Sequence, residues 1–284
     1  KAFATFSAGV VVDFIERTKS TASFIGSHGV TVFHQPDKGI STQIGSGAII
    51  SALTGLKTIS NFRIQDVTKG GQGAPLVPYA DSQLFSDYDA ALNLGGFANI
   101  SHLKGKLLGY DIGICNLLLN HLSKKLGKEY DQGGIIAKSG NVIPDLFNQL
   151  NNIAHFELSG PKSLGKEWFD SKILPLIQKF EINPIEDLLA TSIDHIASQI
   201  GKALNRENEL CLVTGGGAHN DFLIERIRDF SKSTIILPTQ SIIDFKEAIC
   251  FAFLGHLRLL ELNNVSSDVT GASQNSCAGA LYLP

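Results

Sequence analysis

The apolar and polar positions of the chain alternate between short strand-like runs and longer stretches with helical spacing. The clearest helix is predicted over Ile185–Leu204, where apolar side chains recur every three or four residues. A second long helix is predicted over Ile243–Glu261, near the end of the chain. The same reasoning predicts helices over Gly45–Leu56, Asn116–Leu126, Ile173–Phe180 and Asp221–Phe230, and strands over Ala22–Gly26, Val30–Phe33, Lys57–Phe62, Leu210–Val213 and Gly279–Leu283.

Three short runs in the middle of the chain predict consecutive strands joined by tight turns. They are Ala90–Leu94, Phe97–Leu103 and Lys106–Gly109. Hairpins flanked by strand–helix units are not typical of a doubly wound sheet, in which strands and helices alternate strictly. The pattern therefore predicts an α/β protein with two lobes and a cleft between them.

The length of the chain also suits two domains, since 284 residues are more than a single core usually needs. We place residues 1–86 together with 248–284 in one lobe and residues 87–247 in the other. The last long helix is expected to return the chain to the first lobe.

Composition and charge exclude several classes of protein. Lys and Arg number 24 against 27 Asp and Glu, and the net charge of −3 provides no basic surface for nucleic acid. No run of about 18 apolar residues occurs, so no membrane-spanning helix is predicted. The cysteines form no CxxC pair, which is typical of reduced thiols; they are Cys115, Cys211, Cys250 and Cys277. We therefore expect a cytoplasmic protein without nucleic-acid or membrane partners.

Two glycine turns are the strongest candidates for ligand contact. Gly215, Gly216 and Gly217 follow a predicted strand and lead into a helix, so the backbone can approach a nucleotide closely, although a tight packing turn would use the same residues. Gly95 and Gly96 join two predicted strands, where their N–H groups form either a phosphate cradle or an ordinary hairpin turn. The presence of both turns in one chain favours bound phosphates.

Four polar residues lie near the ends of predicted elements. Asp111 is placed directly after a strand and before a helix, which suits a general base but also a simple turn or N-cap aspartate. His28 and Arg63 are at strand ends, where either ligand contact or a structural role is open. Glu247 is predicted to open a helix, whose dipole alone would account for a carboxylate there.

Taken together, these segments resemble the anhydro-N-acetylmuramic acid kinase family, which belongs to the actin, sugar-kinase and Hsp70 superfamily. The most specific similar stretch is Gly70–Pro78, read as GGQGAPLVP. The other stretches, in the family's order, are Ile25–Gly29, Asn61–Arg63, Leu94–Asn99, Asp111 with Gly113 and Asn116, Tyr130–Asp131 with Gly134, Pro161–Glu167, Gly215–Gly217 with Asn220, Glu247–Ala248 and Val269–Ala272.

The resemblance implies a two-lobed, actin-like kinase with a ribonuclease H-like fold that uses ATP and Mg²⁺. Such an enzyme opens 1,6-anhydro-N-acetylmuramic acid with water and phosphorylates O6 during cell-wall recycling. Asp111 matches the family's base, and His28, Arg63 and Glu247 match positions around the sugar. Residues 1–86 and 248–284 would then form the sugar-side lobe, and residues 87–247 the nucleotide-side lobe.

The resemblance further implies nucleotide contacts and an assembly. Gly95 and Gly96 would meet the phosphates, and Gly215, Gly216, Gly217 and Asn220 would meet the adenosine. The metal ligands stay unassigned, and the family suggests a homodimer.

Departures from the family pattern leave two alternatives to an active kinase for this sugar. The family's N-terminal Gly-Thr-Ser-x-Asp-Gly phosphate loop has no counterpart, from which we expect that the polypeptide as given phosphorylates inefficiently. Because it begins at Lys1 and contains no methionine, we interpret it as an incomplete copy of a full kinase. Asn61 replaces an aspartate, and Ile112, Ile114 and Cys115 depart from the pattern around the base. The alternatives are a non-catalytic sugar- or nucleotide-binding relative and a kinase for another sugar.

Overall fold

A computed structural model describes residues 1–158 and 162–284, so that Pro161 of the resemblance lies outside the described residues. The helices are α1 (Ala2–Thr18), α2 (Gly47–Thr54), α3 (Ile64–Thr68), α4 (Val77–Leu84), α5 (Asn116–Lys124), α6 (Ile135–Ser139), α7 (Pro144–Asn151), α8 (Lys166–Trp168), α9 (Leu174–Lys179), α10 (Ile185–Ala203), α11 (Asp221–Phe230), α12 (Gln240–Leu259) and α13 (Ser267–Thr270). The strands are β1 (Phe24–Gly26), β2 (Val30–Gln35), β3 (Ile40–Ile44), β4 (Lys57–Ser60), β5 (Ala90–Leu94), β6 (Phe97–His102), β7 (Leu108–Ile114), β8 (Leu210–Thr214), β9 (Thr234–Ile236) and β10 (Ala280–Tyr282).

The chain divides into two compact units. The first unit consists of Lys1–Leu84 and Glu247–Pro284, and the second of Phe85–Lys246. One of the two boundaries falls inside α12, so this helix contributes residues to both units.

The second unit is built on a sheet with the strand order β7-β6-β5-β8-β9. The strands β5, β6 and β7 pair as antiparallel neighbours, whereas β5, β8 and β9 run parallel. Strand β6 is therefore antiparallel to the other strands of the sheet, which is the arrangement of ribonuclease H-like domains. This topology confirms the predicted α/β fold class.

Helix α10 lies in the core of the second unit. Its residues from Leu188 to Gly201 are all buried, including polar ones. Asp194 is one of these polar residues, and its carboxylate pairs with the guanidinium of Arg226 at 2.6 Å. The helix predicted from one apolar stripe is thus enclosed on every side, because the polar side chains on its other faces find partners.

The first unit contains a sheet with the strand order β1-β4-β10 and a separate hairpin of β2 and β3. Strands β1 and β4 are parallel, and β10 is antiparallel to β4. Helix α12 approaches β1 closely at Gly26, since a Cβ atom there would lie 2.5 Å from the carbonyl oxygen of Phe251. Glycine at this position lets the helix backbone pack directly on the strand.

Most predicted elements form, with two differences worth noting. The third strand of the central hairpins extends over Leu108–Ile114, so the predicted range Lys106–Gly109 is wrong at both ends. Helix α1 was not predicted at all, because only Ala4 and Ala8 are buried along it and its larger apolar residues do not form one buried stripe.

All the cysteines are free, and Cys115, Cys211 and Cys250 are buried. Burial raises the pKa of Cys115 and Cys211 to about 12, so both stay protonated thiols. Within residues 1–158 and 162–284, none of the helices combines the length and the hydropathy that a bilayer-spanning segment needs.

Candidate active site

Two of the predicted site residues, His28 and Arg63, contact each other in the first unit. His28 lies between β1 and β2, and Arg63 immediately precedes α3. Nη2 of Arg63 lies 2.6 Å from Nε2 of His28, and Nη1 donates a 2.7 Å hydrogen bond to the carbonyl oxygen of Gly73. The fold thus joins two strand-end residues that are 35 positions apart in sequence.

The contact with Arg63 determines the protonation state of His28. A guanidinium group has only donors, so Nε2 of His28 accepts the hydrogen bond and the ring is neutral. Burial, followed by the positive charge of Arg63, lowers the pKa of His28 to about 4. The ring also packs against Phe251 of α12, with 4.4 Å between ring centroids. His28 is therefore a neutral acceptor at pH 7 that orients Arg63.

Glu247 belongs to the same unit, but its local structure differs from the prediction. It lies inside α12 and does not open a helix, because the helix already begins at Gln240. Its side chain is exposed, and its negative charge raises the pKa of Arg63, opposing the larger lowering caused by burial. We refer to His28, Arg63 and Glu247 as the Arg63 site.

Two of the five N–H groups of Arg63 bond to Gly73 and His28, which leaves three N–H groups for other partners. Its Nε atom is buried and has no hydrogen-bond partner among the described residues. A buried donor without a partner is costly unless a ligand satisfies it. The Arg63 site therefore suits a ligand that presents carboxylate, hydroxyl or carbonyl oxygens.

The glycine-rich loop Gly70–Pro75 is hydrogen-bonded to Asp66, which the sequence analysis did not name, and to Thr270. The buried carboxylate of Asp66 accepts hydrogen bonds from the N–H of Gly73 at 2.8 Å and from the hydroxyl of Thr270 at 2.7 Å. The N–H of Gln72 donates to the carbonyl oxygen of Thr270 at 2.8 Å. Thr270 lies in one of the stretches that resemble the family, and this was the available signal for it.

Asp111, in the second unit, lies inside β7 and not directly after a strand as predicted. The strand continues because β6 pairs along it, with Asn99 opposite Asp111 and Phe97 opposite Ile114. The carboxylate accepts a 2.8 Å hydrogen bond from the N–H of Leu164. Burial raises the pKa of Asp111, and the hydrogen bond from Leu164 opposes this shift. Asp111 is thus a stronger base than an exposed aspartate.

Gly95 and Gly96 form the turn between β5 and β6, and their carbonyl oxygens hold the start of α5. Asn116 donates its N–H to Gly95, and Cys115 and Leu117 donate theirs to Gly96. The N–H groups of the two glycines donate to no partner within the described ranges, and Gly96 is exposed. Free consecutive N–H groups at a turn are suited to bind an anion.

The turn Gly215–Gly217 lies against the end of β5. A Cβ atom on Gly215, where φ is +85°, would lie 2.5 Å from Oδ1 of Asn93, and one on Gly217 would lie 2.7 Å from Cβ of Leu94. This closeness follows from the parallel pairing of β5 and β8, which brings the carboxyl ends of the two strands to one edge of the sheet. The two predicted glycine turns are therefore neighbours.

Asn220 has a local structural role next to this turn. Its side-chain oxygen caps α11 by accepting a 2.9 Å hydrogen bond from the N–H of Leu223. Gly217 is buried, whereas Gly216 is exposed and so offers the more accessible backbone. Contacts of Gly215, Gly216, Gly217 and Asn220 with adenosine stay predictions.

The described residues contain no cluster of three or more His, Cys, Asp or Glu side chains placed to hold a metal ion. Mg²⁺ in nucleotide enzymes is commonly held by one or two carboxylates together with substrate phosphates, and needs no such cluster. The free N–H groups of the Gly95–Gly96 turn suit such phosphates, and the phosphates would carry the metal.

Comparison with known protein families matches the chain to one kinase family. A family model described as "Anhydro-N-acetylmuramic acid kinase" matches residues 2–284. The chain belongs to the anhydro-N-acetylmuramic acid kinase family. The family and the kinase class predicted from the sequence are both confirmed.

Curated relatives of this kinase family support the assignment along most of the chain. The anhydro-N-acetylmuramic acid kinase of Aliivibrio fischeri is 37% identical over 280 residues, which cover 93% of this chain and 76% of the relative. That of Crocosphaera subtropica is 35% identical over 306 residues, covering 96% and 79%. That of Pseudomonas fluorescens is 38% identical over 274 residues, covering 91% and 75%. The chain spans about three quarters of the length of each relative.

Proposed function

We propose that this kinase uses ATP to phosphorylate O6 of 1,6-anhydro-N-acetylmuramic acid while water opens the anhydro ring. The product is N-acetylmuramic acid 6-phosphate, an intermediate of cell-wall recycling. The observation that carries the proposal is the Asp111 carboxylate, whose pKa is raised by burial, on the sheet whose neighbouring turn at Gly95–Gly96 has free N–H groups. A base and a phosphate cradle on one rigid sheet are the parts that such a transfer needs.

Asp111 would serve as the base for ring opening. Its carboxylate takes a proton from water as the water oxygen bonds to C1 of the sugar, and the C1–O6 bond breaks. O6 then attacks the γ-phosphorus, and the bond from phosphorus to the ADP oxygen breaks. The N–H of Leu164 holds Oδ2, so the other carboxylate oxygen is the one available to water.

The Arg63 site would bind the sugar in the first unit. The substrate carries a lactyl carboxylate, an acetamido carbonyl and hydroxyl groups, all of which can accept hydrogen bonds. Gly73 and His28 use two of the five N–H groups of Arg63, and the other N–H groups can donate to these oxygens. Neutral His28 orients the guanidinium, and the exposed carboxylate of Glu247 can accept from a hydroxyl.

The glycine turns would bind the nucleotide in the second unit. The free N–H groups of Gly95 and Gly96 suit the phosphates, and the exposed backbone at Gly216 suits the adenosine. Mg²⁺, held by those phosphates, would neutralise phosphate charge. The units Lys1–Leu84 with Glu247–Pro284, and Phe85–Lys246, would accordingly be the sugar side and the nucleotide side.

Release of ADP by the full-length gene product, incubated with ATP and Mg²⁺, tests the proposal. We expect release with 1,6-anhydro-N-acetylmuramic acid and none with N-acetylmuramic acid, N-acetylglucosamine or glucose. Release with one of the control sugars instead would identify that sugar as the substrate and contradict the proposed one. If folded protein released no ADP with any of the sugars, the result would favour a non-catalytic relative.

A further inference from the structure

The buried carboxylate of Asp66 holds two separate parts of the first unit together. Asp66 is fully buried, and each of its oxygens accepts one hydrogen bond, Oδ1 from the hydroxyl of Thr270 and Oδ2 from the N–H of Gly73. Thr270 lies 204 positions from Asp66 in sequence. The carboxylate therefore fastens the glycine-rich loop to the segment around α13.

The same loop residue that Asp66 holds also holds Arg63. Gly73 donates its N–H to Asp66, and its carbonyl oxygen accepts the 2.7 Å hydrogen bond from Nη1 of Arg63. The direction of the guanidinium therefore depends on the position of Gly73, whose N–H and carbonyl oxygen belong to the peptide groups on either side of its Cα atom.

The loop has little freedom to take another path while Asp66 stays in place. A Cβ atom on Gly71 would lie 2.2 Å from Oδ2 of Asp66, so the backbone packs directly against the carboxylate. Gly73 has a φ of +64°, which side-chain-bearing residues rarely adopt. The N–H of Gln72 adds a second link to Thr270 through its backbone carbonyl. These contacts specify one loop conformation.

We propose that Asp66 and Thr270 are positioning residues for sugar binding, which act through Gly73 on Arg63 without touching the substrate. The proposal rests on the proposed function only in assigning the anhydro sugar to the Arg63 site. Loss of the Thr270 hydroxyl leaves Oδ1 of Asp66 without its donor, so that the carboxylate and the loop shift and the guanidinium loses its fixed direction.

Thr270→Val in the full-length kinase tests this role, because valine keeps the shape of threonine and lacks the donor. We expect the KM for 1,6-anhydro-N-acetylmuramic acid to rise about tenfold, since small misplacements of a binding group weaken binding strongly. The KM for ATP should change by less than about twofold, because the nucleotide groups lie in the other unit. Thr270→Ser retains the hydroxyl and should restore the sugar KM.

The matched control is Thr58→Val in β4. Thr58 is also fully buried, but its hydroxyl donates to the carbonyl oxygen of Leu56 and is not bonded to the loop. If Thr58→Val raises the sugar KM as much as Thr270→Val does, or if Thr270→Val leaves it unchanged, the positioning role is wrong. Should Thr270→Val not fold, Thr270→Ala, which removes the same hydroxyl donor from Asp66, is measured in the same way with the same expected rise in the sugar KM.

Arg63→Ala separates this proposal from the proposed function. A wild-type protein without activity toward the anhydro sugar would overturn the function itself. An active wild type whose sugar KM rises in Arg63→Ala and not in Thr270→Val would leave the function intact and overturn only the positioning role.

Discussion

The Arg63 site and the glycine turns of the second unit, which are the two proposed binding surfaces, are built in different ways. At the Arg63 site, charged and aromatic side chains are held by one another, with His28 neutral against Arg63 and Phe251. At the turns, the groups available to a ligand are backbone N–H groups at the edge of a sheet, next to the Asp111 strand. A sugar with distinctive substituents favours the first kind of surface, and phosphates common to all nucleotides favour the second.

The largest effect is expected from Asp111→Asn, which removes the proposed base and leaves the glycine turns unchanged. The turnover number should fall about a thousandfold, since general-base catalysis contributes that order of rate. ATP binding, measured by calorimetry, should stay within about twofold of the wild type because the amide keeps the side chain's size.

Asp89→Asn is the control for that change. Asp89 is also half-buried in the second unit, and its carboxylate accepts a 2.8 Å hydrogen bond from the N–H of Leu210. An equal loss of turnover in Asp111→Asn and Asp89→Asn would mean that the loss came from a weakened structural hydrogen bond and not from removal of a base.

Arg63→Ala tests whether the Arg63 site binds the sugar and not the nucleotide. We expect the KM for the anhydro sugar to rise about thirtyfold, as for loss of a charged hydrogen bond of about 2 kcal/mol. The KM for ATP should be unaffected. Arg258→Ala is the control, because Arg258 is a half-buried arginine of the same unit that bonds only to the backbone carbonyl of Gly279 among the described residues. A sugar KM unchanged in Arg63→Ala would remove Arg63 from the sugar site.

Gly215→Ala tests the proposed nucleotide role of the glycine turns, with a smaller expected effect. The added Cβ atom would lie 2.5 Å from Oδ1 of Asn93 and 3.0 Å from the backbone of Leu94, so the turn must move. We expect the KM for ATP to rise about tenfold and the sugar KM to stay constant. Gly105 also has a positive φ, of +73°, but lies in open space, so Gly105→Ala should lower stability without affecting the ATP KM. Equal KM values for ATP in Gly215→Ala and Gly105→Ala would contradict the proposed nucleotide role of the turn.

The smallest effect concerns the pH dependence of stability contributed by His28. Its folded-state pKa is about 4 and its ordinary value is 6.5, so between these values the unfolded chain binds a proton that the folded chain does not. Stability is therefore lost as the pH falls from 6.5 toward 4. At pH 5, this costs about 1 kcal/mol after allowance for partial exposure of the ring.

His28→Gln removes this titration while keeping an acceptor for Arg63. Urea unfolding at pH 7 and at pH 5 should show the wild type losing more stability than the variant as the solution is acidified. The same loss in both proteins would mean that His28 does not bind Arg63 as a neutral ring.

Much of the architecture could be predicted from local pattern, and the errors have physical causes. Helix α10 and the central hairpins follow from apolar spacing and turn residues, which act locally. The extent of β7 could not be read this way, because its last residues are in a strand only through pairing with β6. Glu247 was wrongly assigned to a helix start, because the local pattern does not locate helix boundaries reliably and α12 already begins at Gln240.

By itself, the sequence determined the family, the kinase class, the α/β fold and a set of candidate residues, because motifs and periodicity are carried by neighbouring positions. Only the tertiary structure decided which of those residues meet within each unit. Arg63 finds His28 across 35 positions, and Asp66 finds Thr270 across 204. Such contacts depend on how strands and loops pack, so the neutral state of His28 and the tie from Thr270 to Arg63 were set by the packing of distant segments and not by any local pattern.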